Sequence, residues 1–427
     1  MSSTSVSSIP PGPQASGRVV VTGVGAVTPL GTGVDTFWPK VVAGTNGVRR
    51  ISLIDPEPYT TQVAAEVPDF EVGDWLDKKD ARRMDRFLHF AVASATMALQ
   101  DSGIELTEDL KNEFGVLIGS GIGGLGVMHE NTKFIHDGKP DRVSPFFVPY
   151  MIADMASGIV SILNDLRGPN HCIVSACSTG ANAIGDAFEI IKRGDAVAML
   201  AGGTEAPINP IGIAGFCACR AMTNRNDEPE RASRPFDRDR DGFVIGEGSA
   251  VLLLEDRDHA IARGAKIYAE VIGYGFSADA YHITTPHPEG RGATKSMNMA
   301  LRKAKISPDK IDYVNAHGTS TPVGDPMEVE AVKNVFGEHA YKLGVSSTKS
   351  MHGHTLGAAG AIESLICILA MRDSVMPPTI NLENQETDSR INHVPNVAQE
   401  RELNYVLNNS FGFGGHNVSL IMKKHSI

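Results

Sequence analysis

The chain has no run of about 18 apolar residues, the length a helix needs to cross a bilayer, so nothing in it reads as a membrane span. Nor does it have a cysteine framework. Its five cysteines are odd in number and scattered, which argues for free thiols, a reducing compartment and a cytoplasmic protein. Basic residues are missing from its start: Met1 to Gly17 is rich in Ser and Pro and holds no Lys or Arg. That stretch therefore has neither the charged start and apolar core of a secretory signal nor the Arg of a transit peptide, and residues 1–17 are expected to be a disordered tail. Positive charge is also scarce overall. With 39 Lys and Arg against 50 Asp and Glu, the formal charge is −11, which argues against nucleic-acid binding and means that an acidic partner would need a local basic patch.

What is present suits an α/β enzyme. The 427 residues are 42% hydrophobic and 21% charged, enough chain for two domains or two fused halves. The 44 glycines fit many tight strand–helix turns. Strand-like runs occur at Arg18 to Val21, Phe114 to Ile118, His171 to Val174, Ala196 to Leu200 and Ala250 to Leu254. Helical patterns occur near Phe37 to Ala43, Ala81 to Asp101 and Ala181 to Arg193, the last stopped by Gly194. Thr223 to Gly242 reads as a long polar loop. The same grammar returns with strands at Ile267 to Gly273, Ile311 to Asn315 and Gly344 to Ser347, and helices at Ala293 to Lys305 and Gly357 to Met371. Setting Ile173 to Ile191 beside Val345 to Leu369 gives a weak internal repeat with a period of roughly 170 residues, too long for a solenoid. Duplicated halves of this kind form sites where their strand ends meet. The expected division is 1–17, 18–265 and 266–427.

Cys177 is the most informative residue. It lies in Ser175-Ala176-Cys177-Ser178-Thr179-Gly180, on a corner between a strand-like run and a helix. The free N–H groups of a helix start favour a thiolate, and a dipole worth about 1 kcal/mol lowers a thiol pKa by somewhat under one unit from about 8.5. The corner alone leaves two readings open, a nucleophile or a small buried hydrophobe. Two histidines stand on comparable polar corners: His317 in His317-Gly318-Thr319-Ser320-Thr321-Pro322-Val323-Gly324-Asp325, and His354 in Lys349-Ser350-Met351-His352-Gly353-His354. A Cys–His–His set fits thioester chemistry, in which the cysteine holds an acyl group and two imidazoles donate to a carbonyl as negative charge builds. Asn409-Ser410-Phe411-Gly412-Phe413-Gly414-Gly415-His416-Asn417 could supply a backbone N–H to an oxyanion hole.

With these four stretches in order from about Arg18 to Lys424, the chain resembles the β-ketoacyl-acyl carrier protein synthases, the elongating condensing enzymes of type II fatty acid synthesis. The resemblance implies the thiolase fold: two duplicated α/β halves packed as a five-layer αβαβα core, in a homodimer. It implies that Cys177 accepts the acyl group. His317 and His354 would support malonyl decarboxylation and condensation, and Lys349 would organise the site electrostatically. The backbone N–H groups of Cys177 and Phe413 would form the oxyanion hole. Glu363 and Asp325 resemble carboxylates that pair with this site. Phe413 resembles a gate, and Ile122 and Phe216 an acyl-pocket lining. Thr319 and Thr321 resemble contacts to a phosphopantetheine arm, and Lys78, Lys79, Arg82, Arg83 and Arg220 a basic mouth for acyl carrier protein. No metal or redox cofactor is implied. Two departures stand out: His352 where relatives often have threonine, and Asp141-Arg142 where they tend to carry two basic residues.

Other readings fit less well. Gly119-x-Gly121-x-x-Gly124 follows a strand as a dinucleotide fingerprint does, yet no acidic residue closes a strand about 20 residues on. Val21 to Thr28 lacks the third glycine, and no Tyr-x-x-x-Lys exists, which removes a short-chain reductase. His352-x-His354 and Cys217-x-Cys219 are not usual zinc half-sites. A degradative thiolase needs a second catalytic cysteine, and Cys367 lies among apolar residues of a helix. A non-catalytic chain-length partner would lack Cys177. A polyketide ketosynthase shares the chemistry and stays open.

Overall fold

The computed structural model describes residues 15–425. The expected tail over 1–17 lies outside the described residues apart from Ala15 to Gly17. Nine main strands follow in chain order: β1 (Val19–Thr28), β2 (Phe114–Gly119), β3 (Ala198–Glu205), β4 (Gly248–Asp256), β5 (Ala269–Ala278), β6 (Tyr313–Asn315), β7 (Gly344–Ser346), β8 (Tyr405–Gly412) and β9 (His416–Lys424). They form one sheet path in the order β7-β6-β8-β9-β5-β1-β4-β3-β2, with Gly31–Thr32 added to β1. The join between the halves is the short antiparallel pairing of Val19 to Val21 with Ala269 to Val271.

The path is nearly a palindrome. Counting strands by rank, the second half runs 3-2-4-5-1 from its edge inward. The first half runs 2-4-5-1, and the place of its third strand is held by a segment that touches β2 in a single parallel bridge, Val116 to Asn170. This corrects the expectation of a buried strand over His171 to Val174: the stretch is irregular, and Val174 is 56% exposed. A β-branched run becomes a strand only where a neighbour completes its ladder, and here no strand lies beyond it among the described residues.

The main helices are α1 (Arg86–Ser102), α2 (Met155–Asn164), α3 (Thr179–Arg193), α4 (Arg291–Ala304), α5 (Gly324–Phe336) and α6 (Ala359–Asp373). Helices α3 and α6 touch each other and strands of both halves, so they are the central layer. Helices α1 and α2 cover the first half from outside, and α4 with α5 the second. The result is αβαβα. Both halves seat their outer helix the same way. A Cβ at Gly23 or Gly25 of β1 would lie 2.1 Å from a carbonyl oxygen of α1, and one at Gly275 of β5 would lie 2.0 Å from a carbonyl oxygen of α4. The Gly-x-Gly after Val21 is therefore strand, its glycines selected by close helix packing rather than by a phosphate turn.

In the central layer α3 and α6 meet backbone to backbone. A Cβ at Gly180 would come within 2.9 Å of Ala361 N, and one at Gly360 within 2.8 Å of Ala181 N. Each helix is led by a single 3-10 turn, Ala176–Ser178 and Leu356–Ala358. The residue that opens each turn sits in the left-handed region, Ala176 at φ 51° and Leu356 at φ 49°. Such strain in side-chain-bearing residues persists where the surroundings over-determine it. Helix α3 ends as expected, at a left-handed Gly194 that caps it.

Candidate active site

Cys177 sits in the middle of the Ala176–Ser178 turn, 8% exposed. The hairpin between β8 and β9, from the other half, closes over it: Ser410 Oγ donates to the Cys177 carbonyl at 3.1 Å, and the Phe413 N–H lies against the sulfur. Burial pushes the thiol up to about 11, against smaller pulls downward from the Phe413 N–H and from Lys349. This corrects the expectation of a useful thiolate fraction at rest. A turn-end dipole is worth about 1 kcal/mol, and full burial of the thiolate costs more.

His317 follows β6. Its N–H and that of Gly318 donate to the Glu328 carboxylate at 2.9 and 2.8 Å, which fixes the corner. His354 is tied to Val244 to Gly246 by two backbone bonds, His354 N to Val244 O at 2.7 Å and Gly246 N to His354 O at 2.9 Å. The two rings meet edge to face with centroids 5.3 Å apart. Burial and the Lys349 charge hold both imidazoles far below the usual histidine range, so both are neutral. Among the described residues nothing bonds to Nδ1 of either ring, so the protein pins neither tautomer.

Lys349 is 1% exposed and ion-paired with the buried Glu363. Burial outweighs the opposing pull of Lys349 and leaves Glu363 raised to about 7. Asp325 is buried in the first turn of α5, directly after the loop that carries His317. It accepts from the N–H groups of Phe236, Ser320 and Thr321 and lies 3.7 Å from Arg240, so it serves the site through the backbone, clasping the 234–241 loop to the His317 loop. The polar loop Thr223 to Gly242 is correspondingly less exposed than its composition suggested: Arg234, Asp237 and Arg240 are buried and satisfy one another and their neighbours.

Cys177, His317, His354, Phe216, Thr319, Thr321, Arg220 and Phe413 all line one cavity of about 350 Å³. Thr319 and Thr321 hydroxyls are 3.1 Å apart in it. Ile122 is not on that lining; it packs with Cys177, Phe216 and Leu356 in the apolar cluster behind it. Of the basic residues only Arg220 reaches the cavity. Lys78, Lys79, Arg82 and Arg83 are exposed on and after the short helix Lys78–Ala81, with Arg83 over the Phe146 ring. Asp141 and Arg142 are exposed on a 3-10 turn.

The rival motifs are accounted for. The Gly119 to Gly124 loop has its donors turned on an internal carboxylate: Ser120 Oγ, Gly121 N and Ile122 N donate to Glu205 at 2.6, 2.8 and 3.2 Å. His352 is a satisfied core histidine, bonded to the Gly353 carbonyl at 2.9 Å and the Thr348 hydroxyl at 3.0 Å, and burial pushes it down to about 3. Among the described residues no group of three or more His, Cys, Asp or Glu is placed to hold a metal ion. Sequence reasoning missed Glu205 and Glu328. Each had a faint signal, a carboxylate closing a buried apolar strand and a carboxylate one helical turn after Asp325.

Comparison with known proteins agrees with this geometry. Residues 16–260 match the beta-ketoacyl synthase N-terminal domain, and residues 268–383 match the beta-ketoacyl synthase C-terminal domain. The chain is 52% identical to the 3-oxoacyl-[acyl-carrier-protein] synthase 2 of Coxiella burnetii, over 95% of this chain and 98% of that one. It is 49% identical to the protein of the same name from a Synechocystis species, over 96% and 98%. Among solved structures it is similar to a beta-ketoacyl synthase from Burkholderia phymatum, with TM-score 0.88 and 37% identity over 96% and 100% of the two chains. It is also similar to a chain of the complex described as a type II PKS acyl-carrier protein with its ketosynthase bound to the hexaketide, with TM-score 0.89 and 34% identity over 96% and 99%. With the thiolase fold of those ketosynthases and one cavity that gathers a cysteine and two neutral histidines, the chain belongs to the beta-ketoacyl synthase family.

Proposed function

We propose that this chain is a β-ketoacyl-acyl carrier protein synthase that elongates fatty acids by two carbons. The observation that carries the reading is the gathering of Cys177, His317, His354 and Phe413 on one cavity. In the first half-reaction Cys177 attacks an acyl-carrier thioester. Its thiol is protonated at rest, so the proton must leave as the carbonyl arrives, and either of the two neutral imidazoles on the same cavity is a competent acceptor. The N–H groups of Cys177 and Phe413 stabilise the tetrahedral oxyanion, and the carrier leaves as its thiol.

Malonyl-carrier then enters. Its thioester carbonyl accepts hydrogen bonds from His317 and His354, CO2 departs, and the enolate carbon attacks the Cys177 acyl carbonyl. The acyl C–S bond then breaks, Cys177 leaves as thiolate and takes up a proton, and the β-ketoacyl product stays on the carrier. Neutral donors suit this role, because they strengthen as charge develops and do not surrender a proton to the enolate beforehand. The chemistry as written needs no metal or redox group.

Support for the finer assignments is local. Thr319 and Thr321 hydroxyls on the cavity suit the amide-rich phosphopantetheine arm, and Arg220 at the cavity suits an acidic carrier, with Lys78, Lys79, Arg82 and Arg83 as its wider footing. A homodimer is supported by the unfinished sheet edge at 169–174 and by the exposed apolar Ile162, Leu163 and Val174 beside it. A cytoplasmic location is supported by five free cysteines, and no helix among the described residues is long and apolar enough to cross a membrane. Halves dividing near residue 265 are supported by the β1–β5 seam. A polyketide ketosynthase is the second reading because solved relatives include one, but the identities to the 3-oxoacyl-[acyl-carrier-protein] synthases are higher.

Intact-mass spectrometry tests the reading. Incubation with acyl-carrier proteins should add one acyl group at Cys177, and malonyl-carrier should then discharge it as β-ketoacyl product. Absence of the first adduct rejects the assignment.

A further inference from the structure

Glu205 closes β3 at full burial, and among the described residues its carboxylate is met by four donors and no cation. Oε1 accepts from Ser120 Oγ at 2.6 Å and Ile122 N at 3.2 Å; Oε2 accepts from Gly121 N at 2.8 Å and Gly357 N at 2.9 Å. Three of these donors come from the loop after β2, and the fourth from the turn of the second half. A Cβ at Gly121 would lie 2.8 Å from Oε2, and one at Gly357 would lie 2.6 Å from it, so the carboxylate reaches these N–H groups only because neither residue has a side chain. Ile122, the third residue held, packs against the apolar cluster that contains Cys177, Ile213 and Leu356.

We propose that Glu205 is the positioning residue of the acyl pocket: its carboxylate fixes Ile122 beside Cys177, and thereby sets which acyl chain lengths Cys177 accepts. The inference rests on the reading that Cys177 carries an acyl group. Both carboxylate oxygens are needed as acceptors, because each meets two donors. A glutamine keeps one acceptor oxygen and turns an NH2 toward two of the donors, so the loop must shift to separate them. A shift of Ile122 changes the room for individual methylenes. One methylene in an apolar pocket discriminates substrates by about 10- to 200-fold.

The experiment presents the full-length protein with an equimolar mixture of short-, medium- and long-chain acyl-carrier proteins and reads acyl-Cys177 by intact mass over time. Glu205→Gln should change the ratio of long- to short-chain acylation by about tenfold. Ser120→Ala removes the hydroxyl's bond to Glu205 and the one it accepts from Gly123 N at 2.9 Å, keeps the carboxylate, and should move the ratio the same way by about threefold. The Ser120→Ala variant decides the matter should Glu205→Gln not fold. A merely structural role would slow every chain length by one common factor. An unaltered ratio, or such a uniform loss, overturns the inference while leaving the synthase reading intact. A wild-type protein that takes up no acyl group from any carrier overturns both.

Discussion

In the first half Ala176, at φ 51°, opens one 3-10 turn into α3; in the second half Leu356, at φ 49°, does the same for α6. The next position is Cys177 in one turn and Gly357 in the other. Around Cys177 the Phe413 N–H faces the sulfur and the cavity, available to whatever enters. In the other turn Gly357's own N–H, the counterpart of the Cys177 N–H, is already bonded to Glu205 at 2.9 Å. The duplicated backbone thus makes a donor-rich corner twice. One copy keeps its donors for a substrate and carries a nucleophile. The other spends them on an internal carboxylate and has lost its side chain to make room. Catalytic capacity comes from what is left unsatisfied at a corner.

The most severe break of this contrast is Cys177→Ala, which leaves two corners without a nucleophile. Acyl transfer from carrier should vanish, and intact mass should show no adduct at any pH. Next is His317→Ala. Condensation should fall by about 10²- to 10³-fold through loss of a transition-state donor, while Cys177 acylation persists. Retained condensation on pre-acylated enzyme together with lost acylation would reverse the assignment. Smaller still are the packing tests. In Gly357→Ala the Cβ would meet Gly121 N at 2.4 Å, and in Gly180→Ala it would meet Ala361 N at 2.9 Å. Unfolding free energies should drop by about 3 and about 1 kcal/mol respectively. Equal losses in denaturant titrations would mean that the second corner is no tighter than the helix crossing.

Several parts of this arrangement could be read from residues alone. Cys177, His317 and His354 announced themselves because glycine and hydroxyl residues cluster at strand ends only where backbone must turn sharply. Gly194 marked the end of α3 because a left-handed cap favours glycine. Glu205 was hidden as a lone acid at the end of an apolar run; its four donors come from residues 120 to 122 and 357, brought together only by the fold. The place of the third strand in the first half was misread because a ladder is a property of neighbours rather than of a sequence. Arg234, Asp237 and Arg240 looked solvated because composition does not reveal which charges satisfy one another inside. The acidity of Cys177 was misjudged for a related reason: the turn dipole is local and visible, whereas the depth of burial is neither.

The finest test of the contrast is the pH dependence of Cys177 alkylation. With its pKa raised to about 11, the thiol is protonated at neutral pH, and the reactive thiolate grows as pH rises toward that value. Iodoacetamide labelling of Cys177, followed by peptide mass so that Cys172, Cys217 and Cys219 are scored separately, should quicken about tenfold from pH 7 to 8 and again from 8 to 9, without a plateau. Lys349 pulls the thiol down, so Lys349→Met should raise its pKa further and slow labelling at pH 8 by a few-fold. A plateau below pH 9 would mean that the turn dipole and the Phe413 N–H outweigh burial. The resting nucleophile would then already be ionised, and the two corners would differ in charge as well as in their free donors.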